Sequence, residues 1–504
     1  MRRLSPKIIA LVAWVLCLSL FQPYAPTLQA ASGVPSRSAP APFPTAQHLK
    51  QLAESEEELA YSLGIQAYIY GYPLVISAKT MGEMTQSRAP INQFYYSETL
   101  ASPAYRDIVT PNSDTLYMNA WLDLSQSPVI LNVPDNPQNR YYTVQMLDVY
   151  TNTFRNVSNR STKQKAGRYL IAGPRWKGIV PANTSLIQTP TGTVWLVGRV
   201  EVKGDSDLPQ AIRFEKQITL APLLQAKQAS APQVSAAIPA DALTSLSFFK
   251  IMTDMICKNP PPACDRVLLD QFALAGIDVE HGFTPSKLRP ATLAGLRRAL
   301  LEAPGIVQNG FPPYTHIRNG WGSFSPIGTY GNQFLARAFI AFSGLAANVP
   351  EEEVYYRAYT DERGGLLTGT KRYTLHFTKE QLPQTPAFWS INVYSHQLYL
   401  ATTAANRSSV RSNTGTLVYN PDGSLDLYIQ KEPPPGKESN WIPTPAGDFN
   451  LVLRVFAPAP DPWRKDHAWP PVYESKSAKG VLEVLKSAIP RPFISDSFRR
   501  VKSG

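Results

Sequence analysis

Two regions of the chain, residues 108–202 and 355–457, carry the hydrophobic pattern of β-strands. In KRYTLHFT, Tyr373, Leu375 and Phe377 alternate with polar residues, as in a strand with one buried face. TLYMNAWLDL is apolar on both faces, which is typical of a strand buried on both sides. Turns of Asn, Pro and Gly separate the segments, and Pro421–Gly423 is expected to join two strands in a hairpin. Many short strands at this spacing predict a sandwich or a barrel.

Helical spacing appears before and between these regions. Ser55 and Glu58 form a capping-box motif, from which a first helix is predicted to run until Gly71 and Pro73 disturb it. Residues 208–348 are mostly helical in pattern. The predicted fold class is therefore mixed α+β: two antiparallel β-sandwich-like domains connected by a mainly helical segment.

This pattern divides the chain into six segments. The expected boundaries are residues 1–30, a signal peptide; 31–54, a Pro/Ser-rich linker; 55–205, the N-terminal helix and first sandwich; 206–350, the helical connector; 351–475, the second sandwich; and 476–504, a basic tail.

The first thirty residues have the pattern of a secretory signal. Arg2, Arg3 and Lys7 precede the apolar run from Ile8 to Phe21, and a candidate signal-peptide cleavage site with a small residue follows at Ala30. The apolar run is shorter than the ~18 residues that a membrane span requires. We therefore predict a cleaved signal peptide and a periplasmic or secreted protein without a membrane span.

Composition narrows the possible partners. The 504 residues are 43% hydrophobic and carry a formal net charge of +11 without a concentrated Lys/Arg block, so no nucleic-acid partner is expected. The chain contains 46 prolines, which imply many short elements and loops. A small-molecule or carbohydrate ligand is the expected partner, and a homo-oligomer is possible.

Cys257 and Cys264 lie close together in CKNPPPAC. In an oxidising compartment such a pair is typical of a disulfide, and we predict one here. A metal site is the alternative, but it would need further ligands nearby.

Two acidic residues lie at the ends of apolar strands. By strand parity, Asp114 shares a face with Leu116, and Asp148 shares a face with Tyr142 and Arg140. One hypothesis places Asp114, Asp148, Arg140 and Asn112 in a single polar pocket, where the carboxylates would act as acid and base or bind a divalent cation through oxygen. The alternative is structural, with Asp114 capping a turn with Asn112 and Arg140 neutralising a carboxylate.

Aromatic residues in the strands are candidates for ligand stacking or for ordinary core packing. Arg454 lies among apolar neighbours in VLRVF and could meet Asp448 or a ligand. The candidate ligand-binding residues are Asn112, Tyr117, Tyr142, Tyr150, Trp389, Trp441 and Arg454.

Familiar catalytic and cofactor motifs are missing from the sequence. It contains no Gly-x-Ser-x-Gly elbow, no phosphate loop and no closely spaced histidine pair. No metal site and no cofactor are evident, apart from the possible oxygen-ligated cation.

The order of motifs resembles a known pair of bacterial domains. TPNSDTLYMNAWLDL, RYYTVQMLDVYTNTF, AGPRWKG and VWLVGRV resemble domain of unknown function 1254. DERGGLLTGTKRYTLHF, AFWSINVYS, NPDGSLDLYIQ and NWIPTPAGDFNLVLRVFAP resemble its usual partner, domain of unknown function 1214. The resemblance covers roughly residues 55–475 and implies two β-sandwich-like domains bridged by helices, without an agreed reaction. Ser408 stands where the family pattern places a tyrosine, so a family role for that loop does not carry over.

Two functions follow from these observations, and whether the protein is an enzyme is left open. The first is binding of a carbohydrate or another envelope-derived ligand in a polar and aromatic cleft. The alternative is a hydrolase or lyase that uses paired carboxylates on an extracellular carbohydrate or ester.

Overall fold

The computed structural model describes residues 45–223, 238–310, 312–405, 407–459 and 468–475. The predicted signal peptide, residues 1–30, and the basic tail, residues 476–504, lie outside the described residues. The chain divides into two units, residues 1–52 and residues 53–504; all of the structure below belongs to the second unit, apart from the first residues of helix α1.

The helices and strands follow in chain order. The helices are α1 Ala46–Ser87, α2 Asn159–Thr162, α3 Leu208–Glu215, α4 Ser247–Lys258, α5 Arg266–Ala273, α6 Pro290–Gln308 and α7 Phe334–Ser343. The strands are β1 Tyr95–Tyr96, β2 Thr115–Asp123, β3 Val129–Val133, β4 Tyr142–Asp148, β5 Thr153–Ser158, β6 Gly167–Ala172, β7 Ser185–Gln188, β8 Thr193–Glu201, β9 Thr219–Pro222, β10 Thr315–Arg318, β11 Trp321–Phe324, β12 Glu353–Ala358, β13 Tyr373–Phe377, β14 Trp389–Ser395, β15 Ser409–Arg411, β16 Leu425–Gln430, β17 Trp441–Pro443, β18 Phe449–Phe456 and β19 Tyr473–Glu474.

Helix α1 is longer than predicted at both ends. It begins at Ala46, inside the segment expected to be linker, and continues past Pro73 to Ser87. Burial explains why the proline is tolerated, because tertiary packing outweighs the local penalty at this position. Gly71 allows α1 and α4 to pack closely, since a side chain at this position would collide with Met252 of α4.

The first sandwich consists of two sheets in the first strand-rich region. One sheet has the strand order β1-β2-β8-β4-β5 and the other has the order β7-β6-β3-β9. Strands pair antiparallel except for β6 and β7. Alternate residues of β2 and β4 fill the core between the sheets, among them Leu116, Met118, Val144 and Met146.

The second sandwich repeats this arrangement. Its sheets have the orders β10-β11-β12-β18-β14-β15 and β17-β16-β13-β19, again antiparallel except for β16 and β17. The alternation predicted for β13 is confirmed, since Tyr373, Leu375 and Phe377 are all buried. The turn at Pro421–Gly423 forms, with Gly423 at φ +84°, but residues 416–420 before it form no strand. The mixed α+β fold with two β-sandwich regions and helices between them is therefore confirmed.

The five-stranded sheet of the first sandwich and the six-stranded sheet of the second are the two large sheets. One face of each packs in its own sandwich core, and the other face packs elsewhere. Trp121 of β2 and Trp195 of β8 stack at 4.9 Å and pack into a core that also contains α1, α4 and α6. Tyr394 and Val452 of the second sandwich belong to the same core. Helices α1, α4, α5, α6 and α7 and both large sheets thus share one apolar interior.

The predicted disulfide is not formed, because both cysteines are free and exposed. Cys257 lies in the last turn of α4, and its thiol donates to the Val279 carbonyl at 2.7 Å. Cys264 lies beyond the rigid Pro260–Pro262 run, with its thiol directed to Asp265 at 3.4 Å. Neither thiol is therefore directed at the other. Among the described residues, no helix is long and apolar enough to cross a membrane.

Candidate ligand-binding site

A cavity of about 690 Å³ opens beside strand β12. Helix α7, the β10–β11 hairpin and the segment preceding β2 form its other walls. Most of its lining is apolar, and the apolar residues include Ile108, Val109, Ile317, Phe324, Ile327, Phe339, Ile340, Phe342, Leu345, Ala346, Ala347, Leu398 and Val452. Its size and apolar surface are typical of a small-molecule site.

Strand β12 brings polar side chains to the cavity because its two faces differ. Val354, Tyr356 and Ala358 pack in the core of the second sandwich. The alternate residues line the cavity instead: Glu353, Tyr355, Arg357 and Tyr359. Glu353 is 1% exposed and Tyr359 is 48% exposed, so this face descends from the surface to a buried floor.

The floor holds a carboxylate between two buried arginines. Glu353 Oε1 lies 3.4 Å from Nε of Arg454, and Glu353 Oε2 lies 3.8 Å from Nε of Arg199. Both arginines come from central strands, Arg199 from β8 of the first sandwich and Arg454 from β18 of the second. The floor is therefore built jointly by the two sandwiches.

Hydrogen bonds fix the outer ends of both arginines. Arg199 donates to Gln145 Oε1 at 2.7 Å and to the Ala346 carbonyl at 2.9 Å. Arg454 donates to Asn392 Oδ1 at 2.7 Å and to the Thr110 carbonyl at 2.9 Å. Two polar atoms beside the cavity have no hydrogen-bond partner in the described structure: Nε of Arg199 and Oε2 of Glu353.

Burial and charge oppose each other at this floor. Burial raises the pKa of Glu353, and the neighbouring Arg199 and Arg454 partly offset that rise. Burial alone would lower the pKa of Arg199, but Glu353 and the neighbouring Tyr117, Tyr355 and Tyr141 together outweigh burial, so this pKa is raised. The arginines therefore stay charged.

Asp114 lies next to this floor but does not line the cavity. Its carboxylate accepts a hydrogen bond from Ser390 Oγ at 2.6 Å and one from Asn392 Nδ2 at 3.2 Å. Asn112 caps the turn, since its Oδ1 accepts from the backbone nitrogens of Asp114 and Thr115. Asp114 precedes β2, so strand parity does not apply to it, and its side chain points to the second sandwich.

The predicted pocket of Asp114, Asp148 and Arg140 does not exist as one site. Arg140 and Asp148 lie at opposite ends of β4. Arg140 makes a bidentate ion pair with Asp207, with both nitrogen–oxygen distances 2.6 Å. Asp148 accepts from the backbone and side chain of Asn152. The structural role considered for Arg140 therefore agrees with its contacts, although its partner is Asp207.

The predicted ligand-binding residues divide into two groups. Asn112, Tyr117 and Arg454 line the cavity. The other four are engaged elsewhere: Tyr142 packs in the first sandwich core, Tyr150 donates to the Asn259 carbonyl, Trp389 packs in the second sandwich core, and Trp441 donates to the Gln430 carbonyl. Arg454 pairs with Glu353, not with Asp448.

Three important residues escaped the sequence analysis: Arg199, Glu353 and Arg357. Arg199 had a usable signal, since it interrupts the apolar run VWLVGRV just as Arg454 interrupts VLRVF. Glu353 had none, because it follows Glu351 and Glu352 and resembles a solvated acidic run. No group of three His, Cys, Asp or Glu residues suited to a metal ion occurs in the described parts of the chain.

Comparison with known proteins identifies the family. A model described as "Protein of unknown function (DUF1254)" matches residues 91–222. One described as "Protein of unknown function (DUF1214)" matches residues 352–460. The chain belongs to this two-domain family. The cavity floor of this DUF1254–DUF1214 protein joins the two matched regions, with Arg199 from the first and Glu353 and Arg454 from the second.

One solved structure supports the fold. A crystal structure of a Vibrio parahaemolyticus protein is similar with a TM-score of 0.64 at 22% identity, covering 83% of this chain and 100% of that one. A putative uncharacterized protein from Burkholderia cenocepacia matches with a TM-score of 0.41 at 11% identity, covering 86% of this chain and 98% of its own. No curated protein matches the chain.

Proposed function

We propose that this protein binds a mainly apolar small molecule in the cavity beside β12. The observation that carries the proposal is an apolar cavity of about 690 Å³ with a polar floor formed by Glu353, Arg199 and Arg454. A mainly apolar small molecule with a polar group near this floor matches the lining of the cavity.

The charge balance of the floor favours a neutral group there. Arg199 and Arg454 are matched by the carboxyl groups of Glu353 and Asp114. A second charge placed among these groups would be desolvated without a partner of its own. The ligand's innermost group is therefore polar and uncharged.

The lining favours an apolar ligand over the carbohydrate expected from the sequence. A sugar has hydroxyl groups on every side, and the walls formed by Phe324, Phe339 and Phe342 could not hydrogen-bond them. The hydrolase or lyase alternative relied on paired carboxylates, but Asp114 and Asp148 have separate partners. Binding in the periplasm or outside the cell is the proposed role, and its location depends on the signal pattern of residues 1–30.

Titration with the neutral fluorescent probe N-phenyl-1-naphthylamine tests the proposal. We expect saturable binding at one site in the purified protein. Val109→Trp and Ala347→Trp fill the cavity from different segments of its wall, and each should weaken binding about tenfold or more. Thermal unfolding of each variant shows whether it remains folded. Absence of saturable binding, or equal affinity in folded, cavity-filled variants, would overturn the proposal.

A further inference from the structure

Arg357 is a cation in the cavity wall without a carboxylate partner. It is half-buried on the cavity face of β12, and it donates to Tyr359 Oη at 3.0 Å and to Thr110 Oγ1 at 3.2 Å. These two bonds orient the guanidinium group but do not neutralise it. Within the described ranges no Asp or Glu forms an ion pair with it, in contrast to Arg199 and Arg454.

The guanidinium group has capacity for a ligand. It carries five N–H donors, and the bonds to Tyr359 and Thr110 use two of them. Gly322 of β11 lies directly opposite Arg357, so both residues line the same face of the sheet. Glycine has no side chain, and the side chains of Thr315 and Ile317 lie closest to this position, so they line this part of the cavity together with Arg357.

Arg357 and the floor are separate polar positions along one wall. Four residues of extended strand separate Glu353 from Arg357, a distance of about 13 Å between their Cα atoms. Apolar residues, including Phe339 and Leu345, line the cavity together with these two positions. A ligand that reaches both positions is elongated, with an apolar body and polar ends.

We propose that Arg357 selects an apolar carboxylic acid, whose carboxylate it binds while the apolar chain extends toward the floor of Glu353, Arg199 and Arg454. The inference rests on the proposed function, since it concerns the same cavity. A carboxylate matches the planar fork of an arginine and supplies the charge that Arg357 lacks. The balanced charges of the floor make no such demand.

Displacement of N-phenyl-1-naphthylamine by decanoate and by 1-decanol tests this selection. The two competitors share a chain and differ in the charged head. In the wild-type protein decanoate should displace the probe at a lower concentration than decanol does. Arg357→Gln should reduce that preference about tenfold by weakening decanoate alone. Arg357→Lys should keep part of it, since the charge remains without the fork.

Arg363→Gln is the matched control, because Arg363 is exposed, pairs with Glu362 and does not line the cavity. It should leave both displacement curves unchanged. The inference is overturned if wild-type protein does not distinguish the competitors, or if Arg357→Gln weakens both equally while probe binding persists. Failure of the wild-type protein to bind the probe would instead overturn the proposed function itself.

Discussion

Two sites in this protein that bury arginine side chains have different surroundings. Arg199 and Arg454 flank Glu353 at the edge of a large cavity. Arg337 of α7 is equally buried, but aromatic rings enclose it. Its guanidinium carbon lies 5.2 Å from the ring centre of Tyr70, 5.5 Å from Tyr150 and 5.0 Å from Phe334.

Unpaired polar atoms do not distinguish the two sites. Nε of Arg337 lacks a hydrogen-bond partner among the described residues, as Nε of Arg199 does. The difference is what lies beside the charge. The rings around Arg337 stabilise the cation by cation–π contacts and fill the space, whereas Arg199 borders a cavity. A buried charge indicates a binding site only where neighbouring space can admit a ligand.

Removing the shared carboxylate should have the largest effect on stability. Glu353→Gln leaves two buried arginines, Arg199 and Arg454, with Asp114 as the remaining carboxylate, so the free energy of unfolding should fall by about 3–5 kcal/mol. Urea denaturation measures it. Glu351→Gln, on an exposed neighbour in the same acidic run, should change it by less than about 0.5 kcal/mol. Equal effects of the two substitutions would mean that the floor is not a coupled ion cluster.

Asp148 lies near the ring-enclosed Arg337, and it should make the stability of the protein depend on pH. Burial raises the pKa of Asp148 from 3.8 to about 6, while bonds from Asn152 and the charge of Arg337 partly offset the rise. The folded state therefore binds this proton more tightly than the unfolded state. Stability contributed by Asp148 is present below pH 4 and is lost as the pH rises to about 6.

Comparing the wild-type protein with Asp148→Asn isolates this effect, because the other titrating groups make the same contribution to stability in both proteins. The stability of the wild-type protein relative to the variant should fall by roughly 2 kcal/mol between pH 4 and pH 6.5, measured by urea denaturation at each pH. Both proteins should bind N-phenyl-1-naphthylamine equally. Parallel pH profiles would refute the burial of an ionising Asp148, and altered probe affinity would connect this site to the cavity.

The fold was predictable from sequence where periodicity decides burial. The alternation in β13 and the apolar faces of β2 reflect local geometry, so each strand could be recognised by itself. The predicted end of helix α1 was wrong because distant contacts, and not the local pattern, decide where this helix ends. Gly71 and Pro73 usually disrupt a helix, but here they lie in a packed interior formed by distant segments.

The cavity was less predictable because it depends on which strands meet. Arg454 was recognised as a charge within an apolar strand, and the same reasoning applied to Arg199 would have found it. Nothing local indicates that these two residues share Glu353. Asp114 shows a further difficulty. The alternation of faces along a strand does not extend to Asp114, which lies one residue before β2. Its side chain contacts Ser390 and Asn392, which are far away in sequence.

The smallest of the expected effects concerns what Asp114 does. Ser390→Ala removes the 2.6 Å hydrogen bond to the Asp114 carboxylate and leaves that buried group with Asn392, so stability should fall by about 1–2 kcal/mol. A double-mutant cycle with Asp114→Asn measures the coupling directly. Neither Asp114 nor Ser390 lines the cavity, so probe affinity should not change. If Ser390→Ala instead weakened probe binding without loss of stability, Asp114 would belong to the binding site; lost stability alone means that it joins the two sandwiches.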